Sequence, residues 1–316
     1  MLIERIILAE PRGFCAGVIR AIEAVELALG LYGPPVYVRR QIVHNLFVVR
    51  DLERKGAVFV DEVTDVPVGA RVIFSAHGIA PTVRDMAGRR ELNVIDATCP
   101  LVTKVHVEAA RYVRDGYTVL LVGHAGHDEI IGTMGEAPPG RIKLVQDLND
   151  ASLVDVPDPE RVALVTQTTL SVDETKHIVD ALRRRFPTIR MPARSDICFA
   201  TQNRQDAVKK LTEEVDVVLV LGAENSSNSQ RLREVAETGR CRAYLIGSLE
   251  DMDESWLEGA RSVGITSGAS TPDTLVEEVT AHFIAAGAKD VRTLRALEED
   301  VSFQLPRELS EASRSA

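Results

Sequence analysis

The chain lacks any apolar run of the roughly 18 residues needed to cross a bilayer. Its first segment, MLIERIILAEPRG, has Glu4 inside a short apolar run and so lacks the uninterrupted core of a signal peptide. We therefore expect no membrane association and a cytoplasmic location. Basic residues are also in the minority: 37 Lys and Arg stand against 47 Asp and Glu, which argues against a nucleic-acid partner.

Cysteines are few, and none forms a CxxC pair. The four lie at positions 15, 99, 198 and 241. This spacing excludes a zinc ribbon, a thioredoxin motif and the CxxxCxxC motif of radical enzymes. A disulfide framework is not expected in a cytoplasmic chain, where thiols stay reduced. Isolated cysteines are usually small buried residues, so single positions do not indicate a function.

An internal repeat relates three of these cysteines. Cys15, Cys99 and Cys198 each open a segment with helical apolar spacing, in FCAGVIRAIEAVELAL, TCPLVTKVHVEAARYV and ICFATQNRQDAVKKLT. Two strand-like segments with polar ends follow each helix at nearly equal distances along the chain. Cys241 has no counterpart in the other repeats, and we interpret it as a structural residue.

Alternating helices and apolar strands predict an α/β fold with mostly parallel sheets covered by helices. The repeat predicts three similar α/β units around a pseudo-threefold axis, a trefoil with the cysteines at its centre. We place the units at residues 13–97, 98–195 and 196–285. An N-terminal strand in residues 1–12 would complete the third unit, and residues 286–316 would form a C-terminal extension and polar tail.

Three thiolates on distant segments favour an iron–sulfur cluster in which one iron has no protein ligand. Such an iron could bind a substrate oxygen as a Lewis acid while the cluster supplies electrons. Each cysteine lies near a predicted helix start, which favours its thiolate. Structural zinc prefers four ligands and local pairs, but spacing alone leaves a site of three cysteines and one histidine open.

Polar residues end the predicted strands in IVHN, SAHG, GHAGHDE, TQTT, NSSNS and SGAS. Ligands of parallel sheets bind at these carboxyl ends. Hydroxyl, amide and imidazole donors beside glycine turns suit a phosphorylated ligand. Glu129 stands out because a carboxyl beside His127 can relay protons to such a ligand. His124 either lines the site or holds its turn, and His106 lies in a predicted helix and is left out of the site.

The order and spacing of PRGFCAGV, VHN, FSAHG, DATCPLVTKVH, GHAGHDE, TQTTLSVD, DIC, NSSNS and TSGAS resemble the 4-hydroxy-3-methylbut-2-enyl diphosphate reductase family over nearly the whole chain. The resemblance implies one [4Fe–4S] cluster per chain, held by the three repeat-related cysteines. It also implies a proton relay through Glu129 and Thr168, with His127 among the catalytic residues and Thr168 also touching the substrate. The residues implied to bind diphosphate are His44, His77, His127, Ser226, Ser227, Asn228 and Ser270.

The implied reaction removes the allylic hydroxyl of (E)-4-hydroxy-3-methylbut-2-enyl diphosphate, giving isopentenyl and dimethylallyl diphosphates plus water, the last step of the non-mevalonate isoprenoid pathway. Two electrons would pass through the cluster, whose unique iron binds the substrate hydroxyl, from an external donor of the ferredoxin or flavodoxin type. Two alternatives remain: an enzyme similar to quinolinate synthase, which uses a three-cysteine cluster without net redox chemistry, and a non-catalytic iron–sulfur protein.

Overall fold

The computed structural model describes residues 3–315. In this range the strands are β1 (Arg5–Glu10), β2 (Val36–Arg39), β3 (Ala57–Val60), β4 (Arg71–Phe74), β5 (Asn93–Asp96), β6 (Thr118–Val122), β7 (Ile142–Val145), β8 (Val162–Thr166), β9 (Val217–Leu221), β10 (Arg242–Ile246), β11 (Ser262–Ser267) and β12 (Asp290–Arg295). The α-helices are α1 (Ala16–Tyr32), α2 (Leu46–Arg54), α3 (Pro81–Arg89), α4 (Pro100–Arg114), α5 (Asp128–Met134), α6 (Leu148–Leu153), α7 (Val172–Arg185), α8 (Phe199–Leu211), α9 (Ser227–Glu237), α10 (Asp273–Ala285) and α11 (Arg307–Ser315). Short 3-10 helices span Val63–Asp65, Leu249–Asp251 and Glu254–Leu257.

The strands form three sheets in which every pairing of these strands is parallel. The strand orders are β3–β2–β4–β5, β7–β6–β8 and β10–β9–β11–β1–β12. Parallel strands require crossover connections, and helices fill most of them. The predicted α/β class with parallel sheets is confirmed.

One strand order recurs in the three sheets. Each has an edge strand, then the strand that follows a cysteine-led helix, then the strand ending in the next polar tip, and fourth the segment that leads to a cysteine; in the five-stranded sheet β12 lies beyond this fourth strand. In the three-stranded sheet a single bridge between Ala163 and Arg190 takes this fourth place. The edge strands β3, β7 and β10 were not predicted, because they are short and only partly buried.

The chain packs into two compact units. Unit one consists of residues 3–16, 44–48 and 199–301, and it contains the five-stranded sheet. Unit two consists of residues 17–43, 49–198 and 302–315, and it contains the other two sheets. The predicted domain boundaries at 13, 98, 196 and 286 stay predictions.

In unit one the centre of the sheet, around β9, is buried on both faces. Along β9 alternate side chains point to opposite faces: Val217 and Leu219 pack in one apolar cluster, and Val218 packs in another. Helix α10 adds Phe283 to the first cluster, and α8 adds Leu211 to the second. Burial on both faces explains why this strand is a continuous apolar run, and why polar residues begin where the strand ends.

The C-terminal extension has more regular structure than the predicted polar tail. Strand β12 pairs with β1 over the full length of both strands, and α11 follows it in the chain. Met1, Leu2 and Ala316, which belong to the predicted terminal segments, lie outside the described residues. Among residues 3–315, no helix combines the length and apolar character that a membrane span requires.

Candidate active site

Each of the three repeat-related cysteines immediately precedes a helix. Helices α1, α4 and α8 begin at the residues after Cys15, Cys99 and Cys198. These side chains are partly exposed and carry thiols, not disulfides. The dipole of a helix stabilises a thiolate at its N-terminal end, and the thiolate is the form that binds metals.

The backbone of each cysteine is fixed in the same way. Its N–H donates to the carbonyl two residues beyond the end of the neighbouring strand β11, β4 or β8. The pairs are Cys15 with Ala269 (3.2 Å), Cys99 with Ala76 (3.0 Å) and Cys198 with Thr168 (3.0 Å). The repeat seen in the sequence therefore extends to the hydrogen bonds that hold the cysteines.

Glu129 and Thr168 form a buried polar pair in unit two. Glu129 is the second residue of α5 and is only 2% exposed. Its Oε1 accepts a bond from the Thr168 N–H at 2.8 Å, and its Oε2 accepts one from the Thr168 hydroxyl at 3.0 Å. Burial raises the pKa of Glu129 to about 7 against the opposing effect of both bonds, and the charge of Asp196 raises it further. A carboxyl with this pKa can give or take a proton near neutral pH.

His127 caps the start of α5. Its Nδ1 accepts a hydrogen bond from the Glu129 N–H at 3.2 Å. A neutral imidazole that accepts at Nδ1 carries its proton on Nε2, so Nε2 is a hydrogen-bond donor. The ring of His77 stands edge-on to that of His127, with centroids 5.8 Å apart and planes at 85°. The two imidazoles thus bring together the polar ends of β4 and β6.

Asn228 and Ser270 occupy the strand ends of unit one. The Oδ1 atom of Asn228 accepts a bond from the Ala269 N–H at 2.8 Å, and its Nδ2 donates to the Thr201 hydroxyl at 3.4 Å. The Ser270 hydroxyl donates to the carbonyl of His44 at 3.1 Å. Both side chains are buried. The site of unit one is therefore made of neutral groups.

Ser226 caps helix α9 and holds Ser229, whose side chain explains why two neighbouring positions are glycine. Its Oγ accepts bonds from the N–H and the hydroxyl of Ser229, at 3.4 and 3.1 Å. A Cβ at Gly222 or Gly268 would lie 2.1 Å from the Ser229 hydroxyl oxygen. The seryl side chain thus fills the space left by the two glycines, and larger residues are excluded there.

Most of the predicted site residues come together within their own units. In unit two the hydrogen bonds, ring contact and chain neighbours run continuously from Cys99 through Ala76, His77, His127, Glu129 and Thr168 to Cys198. In unit one the connected residues are Cys15, Ala269 and Asn228, with Ser270 held on His44 and Ser226 and Ser227 at the start of α9.

His106, which was left out of the predicted site, packs directly beneath it. Its ring lies where a Cβ of Gly78 or Gly132 would fall, at 3.0 and 2.8 Å from the nearest ring atom. Its Nδ1 is 2.8 Å from the Glu136 carboxylate, just beyond α5. His106 therefore supports both the turn after His77 and the helix that carries Glu129. The two glycines were the sequence signal that could have identified it.

Two further residues of the predicted motifs have structural partners. Asp128, beside Glu129, forms an ion pair with Arg40, whose φ of 53° is in the left-handed region. The backbone N–H of His124 donates to the buried Gln167 side chain at 3.1 Å, which holds the turn after β6. Cys241 packs against an apolar cluster of unit one.

The chain is similar to proteins of known name over almost all of its length. A family model described as LytB protein matches residues 6–284. 4-Hydroxy-3-methylbut-2-enyl diphosphate reductase 2 of Burkholderia mallei is 54% identical over 308 residues, covering 98% of this chain and 94% of the relative. The enzyme of that name from Pseudomonas fluorescens is 56% identical over 305 residues, covering 96% and 97%.

A solved structure shares the fold. The E-1-hydroxy-2-methyl-but-2-enyl-4-diphosphate reductase of Plasmodium falciparum has a TM-score of 0.95 at 37% identity, covering 99% of this chain and 98% of its own. The resemblance seen in the motifs is thus confirmed from sequence and structure independently. The chain belongs to the LytB protein family.

Proposed function

We propose that the protein reduces (E)-4-hydroxy-3-methylbut-2-enyl diphosphate to isopentenyl and dimethylallyl diphosphates. Two electrons and two protons enter, the allylic C–O bond breaks, and the hydroxyl leaves as water. The observation that carries the proposal is the buried Glu129–Thr168 pair, whose carboxyl has a pKa of about 7 and lies two residues after His127. A solved relative, 36% identical with a TM-score of 0.62, is described as the terminal enzyme of the non-mevalonate pathway, and we assign this chain to the same step.

The donor chemistry of the cysteines fits an iron–sulfur cluster. Three partly exposed thiols, each at a helix start and each with the same backbone bond, form a soft, equivalent set of ligands. We propose that Cys15, Cys99 and Cys198 hold one [4Fe–4S] cluster. When bound, such a cluster would supply electrons and one iron that has no protein ligand.

Glu129 would deliver protons through Thr168. When the carboxyl is protonated, its O–H can donate to the Thr168 hydroxyl oxygen, which then turns its own hydrogen outward. When the carboxyl is ionised, the hydroxyl donates back to it at 3.0 Å. Reversal of this one bond moves a proton between a buried carboxyl and the substrate side of Thr168.

The diphosphate would be held by neutral donors. These are the Nε2–H of His127, the amide of Asn228, the first N–H groups of α9 beside Ser226, and the hydroxyl of Ser270 once it turns away from the His44 carbonyl. Four further groups complete the proposed set: His44, His77, Ser227 and Thr168. Neutral donors bind phosphate oxygens without adding positive charge to the site.

The electrons would come from an external protein of the ferredoxin or flavodoxin type. Since exposed thiols persist in a reducing compartment, we expect the enzyme to act in the cytoplasm. These two assignments rest on the proposed reaction.

Replacement of single cysteines tests the proposal. Cys15→Ser, Cys99→Ser and Cys198→Ser should each abolish the brown chromophore and the anaerobic formation of both products. Cys241→Ser is the matched control and should retain both. A normal cluster in any of the first three variants would contradict the ligand assignment, and a full cluster without turnover of the allylic diphosphate would contradict the reaction.

A further inference from the structure

Three cationic side chains occupy equivalent places after the three cysteines. Each lies five or six residues after its cysteine, in the second turn of the helix that follows it. They are Arg20 on α1, Lys104 on α4 and Arg204 on α8. The first two each bind the segment just before the next cysteine in the chain. The third, Arg204, binds the segment before the first cysteine.

Arg20 binds the segment before Cys99. Its Nη1 donates to the carbonyl of Thr98 at 3.0 Å, its Nη2 to that of Asp96 at 3.4 Å, and its Nε to that of Gln304 at 2.7 Å. All three partners are carbonyl groups, and the side chain is buried. Within residues 3–315 this guanidinium has no carboxylate in hydrogen-bond contact.

Lys104 binds the segment before Cys198. Its Nζ lies 2.6 Å from Oδ1 of Asp196 and donates to the carbonyl of Arg194 at 3.1 Å. The other carboxylate oxygen of Asp196 accepts the Thr166 N–H at 3.0 Å. This cation is therefore directly neutralised by a buried carboxylate.

Arg204 binds the segment before Cys15. Its Nε and Nη2 donate to the carbonyl of Gly13, at 3.2 and 2.9 Å, and its Nη1 lies 3.1 Å from Glu299. The side chain is 1% exposed. This cation too has a carboxylate partner, so Arg20 is the member of the set without one.

A buried guanidinium that meets only carbonyl groups is costly unless negative charge lies nearby. Burial lowers the pKa of Arg20, and the charges of Asp96, Cys99 and Glu308 act against that effect. Cys99 is one of the proposed cluster ligands. A positive charge beside the ligands of a cluster favours the more negative, reduced state, because reduction adds an electron.

We propose that Arg20, with weaker contributions from Lys104 and Arg204, raises the reduction potential of the iron–sulfur centre while fixing the segments that lead to its cysteines. This inference rests on the proposed function, because it requires that the three cysteines hold such a centre. It assigns a redox-tuning role to residues that touch neither substrate nor the reacting atoms.

The test is anaerobic spectroelectrochemical titration of the iron-loaded protein. Arg20→Gln should lower the reduced-to-oxidised ratio at a fixed potential about tenfold, which corresponds to a fall of about 59 mV for one electron. Arg20→Lys keeps the charge and should stay close to the unmodified protein. Arg54→Gln, which removes an exposed arginine from α2, is the control and should cause no shift.

A second pair of variants tests the effect of charge on the reduction potential if Arg20→Gln fails to load iron. Lys104→Met, at a side chain that is 36% exposed, should shift the ratio severalfold in the same direction. Lys104→Met combined with Asp196→Asn removes both charges and should reverse most of that shift. An unchanged potential in fully iron-loaded Arg20→Gln or Lys104→Met protein would overturn the inference, as would equal shifts in Arg20→Lys and Arg20→Gln.

The two proposals fail in different ways. If the unmodified protein binds no cluster through the three cysteines, the proposed function is wrong and no redox signal exists to compare. If the unmodified protein shows a cluster and turns over substrate, but the charge variants leave its potential unchanged, only the tuning role is wrong.

Discussion

Two strand–helix junctions, β6–α5 in unit two and β9–α9 in unit one, have the same construction and different chemistry. In each, a capping side chain, His127 or Ser226, starts the helix, and a buried polar residue follows two positions later. That residue is Glu129 in one and Asn228 in the other. Each accepts a backbone N–H at 2.8 Å from the residue whose carbonyl holds a cysteine, Thr168 or Ala269.

The difference between Asn228 and Glu129 shows which features the fold requires at this position and which it does not. A neutral amide oxygen satisfies the backbone N–H in unit one as well as a carboxylate does in unit two, so the fold does not require a carboxyl at this place. Unit two nevertheless buries one and pairs it with the Thr168 hydroxyl, where unit one has Ala269. The carboxyl and hydroxyl thus fit the proposed proton transfer, and the amide of Asn228 fits donation of a hydrogen bond to the proposed diphosphate.

The largest effect is expected when the carboxyl of Glu129 is replaced by an amide, the group that Asn228 has at the equivalent position. Glu129→Gln keeps an oxygen for the Thr168 N–H but removes the proton donor, so turnover should fall by at least about 10²-fold with substrate still bound. Anaerobic steady-state kinetics would measure this change. Glu278→Gln, at an exposed site on α10, is the control. Turnover equal to that of the unmodified protein would remove Glu129 from the mechanism.

The same carboxyl should make stability depend on pH. Its folded pKa of about 7 lies above the ordinary value of 4.5, so the folded state holds the proton more tightly than the unfolded state. The associated stability is fully present below pH 4.5 and is lost as the pH rises through 7, by about 3 kcal/mol. Denaturant unfolding at pH 5 and pH 8 should show this loss in the unmodified protein and a smaller one in Glu129→Gln. Equal losses would contradict the assignment.

At the equivalent position of unit one the expected effect is on binding. Asn228→Ala removes a donor and leaves the Ala269 N–H unsatisfied, so KM should rise roughly tenfold, equivalent to about 1.4 kcal/mol, with a smaller change in kcat. Asn228→Asp restores the acceptor but adds a negative charge, and KM should rise further. If Asn228→Asp bound the diphosphate as well as the unmodified protein does, Asn228 would have no role in binding.

The smallest effect on turnover is expected from the glycines that open the two junctions. A Cβ at Gly222 would meet the Ser229 hydroxyl at 2.1 Å, and one at Gly123 would meet the end of the Ile130 side chain at 2.3 Å. Gly222→Ala should cost about 1–3 kcal/mol of unfolding free energy, and Gly123→Ala less, because the isoleucine end can turn away. Gly30→Ala in α1 meets nothing within 4 Å and should be neutral or stabilising. Equal losses at 222 and 123 would contradict this ranking.

Repetition made much of the fold predictable. Each cysteine begins a helix, and strands such as β6 and β9 are fully buried apolar runs whose polar ends are visible in the sequence. Strand β12 was not predictable, because five of its six residues are exposed and its place depends on backbone pairing with β1. The bridge at Arg190 was equally hidden, since a single pairing leaves no periodic pattern.

The sequence predicted which residues belong to the site, but not which of them form hydrogen bonds with one another. The sequence indicated Glu129, Thr168 and Asn228 as polar strand ends, while the bond between the first two depends on packing between strands that are distant in the chain. Arg20 and His106 were missed because each lies within a helical pattern, where a charged or imidazole side chain usually faces solvent. Their burial follows from tertiary contacts that no local pattern encodes.

The pairing of β1 with β11 has a consequence for the order of synthesis. The first strand of the chain lies in a sheet whose other members begin at residue 217, and the N–H of Cys15 is held by the carbonyl of Ala269. While the chain grows from its N-terminus, Cys99 and Cys198 can acquire their backbone partners as soon as their own strands have emerged from the ribosome. Cys15 must wait until residue 269 has also emerged, more than 250 residues later. We therefore expect the complete set of three thiols to form only after the five-stranded sheet has emerged, so that delivery of the proposed cluster follows the folding of that sheet.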